Sequence, residues 1–179
     1  MELDNDNIGT MPVLERHLFN ISALEDYMNS NVEGFNGPIT VEEFKGGQSN
    51  PTYKVSSPAQ SYVLRRKPPG KLLKSAHAVD REYKVITALN DTDVPVPKSY
   101  ALCEDEDIIG TPFYIMEFKE GRVLWDPAME ESDFEEARGV YLSMNESIAK
   151  LHSVNYEKVG LENFGKPGNY VGRQVSRWS

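Results

Sequence analysis

Apolar and polar residues alternate with a period of two in three early segments. Ile39-Thr40-Val41-Glu42-Glu43-Phe44 alternates and predicts a strand. Tyr53 and Val55 alternate with Thr52 and Lys54, a second strand, and Ser61-Tyr62-Val63-Leu64-Arg65-Arg66 is a third. The gaps 44–52 and 56–60 suit hairpins, and Pro68-Pro69-Gly70 closes the meander. Two more strands are predicted near Ser99–Cys103 and Phe113–Phe118, with Glu104-Asp105-Glu106-Asp107 as a charged turn between them.

Helical spacing marks three other stretches. Ser22-Ala23-Leu24-Glu25 has the form of a capping box, and Leu24, Tyr27, Met28 and Val32 follow on one face. A second helix is predicted from about Ser75 to Leu89, with the stripe Val79, Tyr83, Ile86 and Leu89. Val94-Pro95-Val96-Pro97 must be extended after it, because proline disfavours helix at the preceding residue. Ser132-Asp133-Phe134-Glu135 is a second capping box, opening a long helix with Phe134, Ala137, Tyr141, Met144, Ile148 and Leu151 on one side. That stripe calls for a partner. Residues 1–12 show no periodicity and read as a disordered leader; beyond His152 the chain reads as irregular. About five antiparallel strands with one helix define an α+β lobe over 13–118, followed by a second part over 119–179.

Composition narrows the function. The 179 residues are 39% hydrophobic and 26% charged, a globular profile, and no apolar run is long enough to cross a membrane. The acidic start has no apolar core, so no secretory signal is expected. A net charge of -9 argues against a nucleic-acid partner. The single cysteine, Cys103, excludes an internal disulfide, and no Cys/His spacing suits zinc. Within this acidic chain, Arg65, Arg66, Lys67, Lys71 and Lys74 cluster: either a solvated loop or an anion site.

Three motifs carry candidate chemistry. Gly46-Gly47-Gln48-Ser49-Asn50 lets the backbone turn its amides toward a phosphate, although a plain hairpin also needs glycine. It is not a Walker A loop, because Pro51 opens a strand and not a helix. Glu82 shares the apolar stripe of the second helix, so its carboxylate needs a cation, and Arg65 in the preceding strand is the natural partner. The pair is either a phosphate-directed device or a structural ion pair. Tyr114-Ile115-Met116-Glu117-Phe118-Lys119-Glu120-Gly121 runs from an apolar strand into a charged connector, which is either a nucleotide hinge or an ordinary strand end.

These pieces, with Asp80-Arg81-Glu82-Tyr83, Val94-Pro95-Val96-Pro97 and Gly110-Thr111-Pro112-Phe113, occur in an order that closely resembles the kinase-like domain of the aminoglycoside phosphotransferase and choline kinase family. The resemblance runs from about Ile39 to Trp178 and is nearest the branch linked to acyl-CoA dehydrogenases. It implies a protein-kinase-like N-terminal lobe that binds ATP, with residues 119–179 forming a hinge and the start of a C-terminal lobe. It further implies that Gly46, Gly47, Ser49 and Asn50 form the phosphate loop and that Tyr53 packs on the adenine. Arg65 would replace the usual kinase lysine, with Glu82 orienting it. Met116 would lie behind the adenine, and the Glu117 carbonyl and Lys119 amide would be hinge contacts.

The family's His-Gly-Asp-x-x-x-x-Asn loop and its later metal-binding Asp do not occur in these residues. None of His17, His77 and His152 fits that loop, and Asp133-Phe134-Glu135 reads as a helix cap despite its likeness to a metal-binding DFG. The chain therefore reads as truncated before the catalytic loop, with no catalytic or metal residue assigned and Mg²⁺ expected only in a longer homologue. The expected function is that of an ATP-dependent small-molecule hydroxyl kinase, with hydroxyacyl-CoA as the implied acceptor class, inactive on its own. The alternative is a non-catalytic nucleotide- or partner-binding fragment or isoform. An acyl-CoA dehydrogenase is an implied associate. A cytoplasmic location is the default expectation, with an organelle open in a eukaryote.

Overall fold

The computed structural model describes residues 8–46, 49–70, 77–124, 126–130, 132–166 and 168–178. Six antiparallel strands form one sheet: β1 (Thr10–Met11), β2 (Thr40–Phe44), β3 (Thr52–Ser56), β4 (Ser61–Arg66), β5 (Ser99–Cys103) and β6 (Phe113–Glu117). Their order across the sheet is β1-β2-β3-β4-β6-β5. The five expected strands fall within a residue or so of the predicted bounds. The sixth, β1, is a two-residue pairing of Thr10 with Phe44 and Met11 with Glu43, too short to show any period.

The register fixes two faces. Tyr53 opposes Leu64 and Val55 opposes Tyr62, while Thr52 opposes Arg65 and Lys54 opposes Val63. Leu64 in turn opposes Ile115, and Arg65 opposes Tyr114. Because side chains alternate along a strand, Tyr53, Val55, Tyr62, Leu64 and Ile115 share one face, and Thr52, Lys54, Val63, Arg65, Tyr114 and Met116 share the other.

Helix α1 (Ile21–Asn31) covers the first face. Leu24 and Met28 are completely buried there among Tyr53, Val55, Tyr62, Leu64, Phe113 and Ile115. Each such side chain removed from water contributes about 1.5–3 kcal/mol. The predicted cap shifts. Asn20, not Ser22, caps α1 by accepting from the Ala23 amide at 3.1 Å. Glu25 is thereby released from the helix end. Its carboxylate accepts from the Ile39 amide at 3.1 Å and so ties α1 to the approach of β2.

Helix α2 (Val79–Leu89) lies on the second face, where the ring centroids of Tyr83 and Tyr114 are 6.0 Å apart. Val79 and Leu89 are buried as the stripe requires. The predicted start near Ser75 lies outside the described residues. In the acidic turn between β5 and β6, Asp105 caps a short helix, α3 (Glu106–Ile109), by accepting from the Asp107 amide.

The second part holds α4 (Phe134–Ser153) and α5 (Tyr170–Trp178), neither of which has a buried residue among those described. Asp133 caps α4 by accepting from the Glu136 amide at 2.8 Å, so the cap lies one residue after the predicted Ser132, and Asp133 is a capping residue as expected. The helix α5 falls in the stretch read as irregular. Segment 155–164 leans back on α2, where Arg81 donates to the Phe164 carbonyl at 3.0 Å and its guanidinium lies 3.9 Å from the Phe164 ring centroid.

Candidate functional site

Strand β4 places Arg65 on the α2 face, and α2 brings Glu82 to meet it. The Arg65 Nε donates to Glu82 Oε2 at 2.7 Å. This is the pairing the sequence predicts. Tyr114, directly opposite Arg65 in the sheet, donates its hydroxyl to the same carboxylate oxygen at 3.1 Å. Asn50 donates from Nδ2 to the other oxygen, Oε1, at 3.0 Å. Arg65 also donates from one terminal nitrogen to Thr52 Oγ1 at 3.0 Å, and Thr52 donates onward to the Asn50 carbonyl at 3.0 Å.

The carboxylate thus accepts three hydrogen bonds, one of them from a cationic donor, which fixes its orientation. The Arg65 and Glu82 side chains remain 30% and 35% exposed, so the cation stays open to an incoming anion. Burial, and then the neighbouring Glu82, push the Tyr114 phenol far above its ordinary range, so it stays a neutral donor.

The glycine loop precedes β3. Gly46 has φ +79°, a left-handed turn that glycine adopts without a Cβ clash. Gly46 and Ser49 border an open cavity of about 520 Å³ together with Leu14, Arg16 and Pro68. Gly47 lies outside the described residues. Asn50, at the end of the loop, is 2% exposed and aimed at Glu82.

Beyond Arg65 the α2 face continues through Val63 to Met116, which oppose each other in register. Glu117 follows: its backbone N–H donates to the Lys98 carbonyl at 2.8 Å, and its carboxylate accepts from the Lys119 ammonium at 2.7 Å and from the Lys98 amide at 3.2 Å. These hydrogen bonds, led by that from Lys119, hold the Glu117 carboxyl below its usual range. Sequence reasoning missed the aromatic group at this end. Phe44 stacks on Phe118 at 6.3 Å, and the Lys54 ammonium lies 4.7 Å from the Phe118 centroid. The signal was there, since Lys54 and Val63 are alternate-position residues of β3 and β4 on Arg65's face.

Two expectations need correction. Tyr53, expected on the adenine, faces α1 and not Arg65. It is completely buried, packs edge-on against Phe19 at 5.2 Å and donates to the His17 carbonyl at 3.2 Å. Burial pushes its phenol up to about 12. The alternation of β3 makes this unavoidable: Tyr53 is one residue from Thr52, which bonds Arg65. Val63 is the apolar side chain on Arg65's face. The basic cluster also divides. Arg66 is 3% exposed on the core side, over the Phe19 ring at 5.4 Å, and burial lowers its pKa. Arg65 and Arg66 therefore serve opposite faces, while Lys71 and Lys74 lie outside the described residues. His152 stands exposed in the last turn of α4, away from the pair.

Comparison with known proteins gives the family and the fold. The profile of the phosphotransferase enzyme family (APH) matches residues 40–179, and the chain belongs to that family. A crystal structure from Ralstonia eutropha, assigned as an aminoglycoside phosphotransferase, superposes with a TM-score of 0.78 at 52% identity, covering 90% of this chain and 46% of that one. The α+β architecture is the kinase-like fold of that group. Among curated proteins, the chain is 46% identical over 170 residues to "Probable acyl-CoA dehydrogenase IBR3" of Arabidopsis thaliana. It is 42% identical over 183 residues to acyl-CoA dehydrogenase family member 11 of Rattus norvegicus. It spans 21% and 23% of the length of those two relatives.

Proposed function

We propose that this chain forms the nucleotide-binding side of an ATP-dependent kinase site that phosphorylates a small-molecule hydroxyl. The observation that carries the reading is the Arg65–Glu82 pair, 2.7 Å apart and partly exposed on a face that continues into Val63 and Met116. A kinase lowers its barrier by positioning phosphates and neutralising their charge. Arg65, oriented by Glu82, supplies the positive charge. The backbone of Ser49 and Asn50 supplies further amide donors, and Val63 and Met116 supply an apolar surface for the adenine. The Glu117 carbonyl and Lys119 amide then read the adenine edge.

The acceptor we propose is a hydroxyacyl-CoA, and an acyl-CoA dehydrogenase is the proposed associate, because relatives of much greater length carry acyl-CoA dehydrogenase names. Among the described residues, no three His, Cys, Asp or Glu side chains converge as metal ligands. No step through Mg²⁺ is therefore assigned to them. With no His-Gly-Asp loop in residues 1–179, we propose that these residues alone bind ATP weakly and transfer no phosphate. A second reading, a nucleotide- or partner-binding module without turnover, draws on the exposed stripe of α4. No described helix is long and apolar enough to cross a membrane, and a cytoplasmic setting is the proposal.

The test is calorimetry with ATP and ADP. The expected result is a dissociation constant above about 1 µM for residues 1–179. In a longer chain carrying the catalytic loop, acceptor-dependent ADP release should appear, and Arg65→Ala should cut it by about 100-fold or more. Unchanged activity in that variant would remove Arg65 from the phosphate site. Acceptor-dependent ADP release from residues 1–179 alone would show that catalytic groups lie elsewhere in them.

A further inference from the structure

His77 adopts φ +57°, the left-handed conformation that non-glycine residues rarely occupy. Such a conformation persists when neighbouring contacts over-determine it. The residue stands two positions before α2, yet that helix has no side-chain cap, so the His77 ring is not spent on the helix end. It reaches instead across to the glycine loop, where Nδ1 lies 2.7 Å from Asn50 Oδ1.

The chemistry of Asn50 settles the direction of each bond. A carboxylate only accepts, so the Asn50 amide must turn Nδ2 toward Glu82 and leave Oδ1 toward His77. His77 must then carry its proton on Nδ1 and donate it. The chain of donors therefore runs from His77 to Asn50 to Glu82, with every bond at 3.0 Å or less. Arg65 closes the circuit from the other side, since it bonds Glu82 directly and reaches the Asn50 backbone carbonyl through Thr52. Both members of the ion pair are thus referred to one residue of the loop.

We propose that His77 and Asn50 are positioning residues that lock the end of the glycine loop, at Ser49 and Asn50, to Glu82, so that the amides of those two residues and the Arg65 cation meet the nucleotide polyphosphate as one preassembled unit. This rests on the nucleotide reading of the site. His77 need not touch nucleotide. It acts through Asn50, which would otherwise rotate and release both the loop and one oxygen of Glu82. Preassembly matters because ordering the loop on binding would subtract from affinity for the phosphates but not from affinity for the base.

The test compares ATP with adenosine, which lacks the phosphates, on the full chain by calorimetry. Amide hydrogen exchange at Ser49 and Asn50 in the ligand-free chain is followed in parallel. His77→Gly relieves the backbone and deletes the donor. His77→Asn keeps a donor near the Nδ1 position and tolerates the left-handed conformation. His77→Gly should lower the ratio of ATP to adenosine affinity by about tenfold, the effect of losing roughly one good hydrogen bond. It should also speed exchange at Ser49 and Asn50. His77→Asn should restore both toward the wild-type values. A His77→Gly chain with wild-type affinity ratio and wild-type exchange overturns the proposal. A wild-type chain that binds neither ATP nor adenosine removes the nucleotide reading instead. In that event the exchange data still decide whether His77 holds the loop.

Discussion

Helices α1 and α4 carry similar stripes and meet opposite fates. In α1, Leu24 and Met28 are fully buried against β3, β4 and β6. In α4, Phe134 is 75% exposed and Tyr141, Met144 and Ile148 are about half exposed. Both stripes have helical spacing, so the pattern says which side of a helix is prepared for burial. It does not say what will cover it. The sheet supplies a cover for α1, and no described residue does so for α4. Stability in this chain is therefore concentrated between residues 13 and 118, where apolar area leaves water.

Four measurements break or sharpen that contrast. Leu64→Ala removes a fully buried side chain from between α1 and the sheet and should lower the unfolding free energy by about 2–5 kcal/mol in urea denaturation. A loss below about 1 kcal/mol would mean that the lobe is not the stable region.

Alkaline pH should strike the same lobe next. Burial pushes the Tyr53 and Tyr27 phenols up to about 12 from an ordinary 10.0. The folded state holds both protonated while the unfolded chain releases its protons from about pH 10. Their contribution is therefore complete below pH 10 and is lost as pH climbs toward 12. Thermal melts across that interval should show the decline, and Tyr53→Phe should make it shallower. An equally steep decline in that variant would assign the effect elsewhere.

Glu82→Ala leaves Arg65, Asn50 and Tyr114 without their shared acceptor. With the pair a third exposed, water replaces part of the loss, and the expected cost is about 1–2 kcal/mol. A neutral result would show the network to be loosely held. The smallest effect should come from α4: Ile148→Ala should stay within about 0.5 kcal/mol, because its side chain is already half in water. A cost near that of Leu64→Ala would show that α4 has a cover in solution.

Much of the lobe is written in its alternation. The core strands and the Arg65–Glu82 pair follow from period two in β4, helical spacing in α2 and the rule that an inward carboxylate needs a cation. What was not legible depends on contacts between distant segments. Asn20 and Ser22 are both good caps, and only the engagement of Glu25 with Ile39 shows why the earlier one is used. The face of Tyr53 could have been read from its place one residue after Thr52, had the resemblance not suggested otherwise. The role of Asn50 needed the loop, β3 and α2 assembled before its amide had anything to address. Helix α5 was legible too: Val171, Val175 and Trp178 stand at helical spacing, but Gly160, Gly165 and Gly168 before them mark the stretch as irregular, and the stripe stays exposed.

Strand β4 carries two messages in one string. Its odd positions, Val63 and Arg65, address the α2 face, and its even positions, Tyr62 and Leu64, hold the interior. A single-residue insertion or deletion within 61–66 would exchange the two sets, sending the arginine into the core and a leucine to Glu82. No compensating substitution at one position could restore the reading frame of side chains. The turn at Ser57–Gln60 carries no such double meaning, and length variation in this hairpin is tolerable there, where neither message is interrupted.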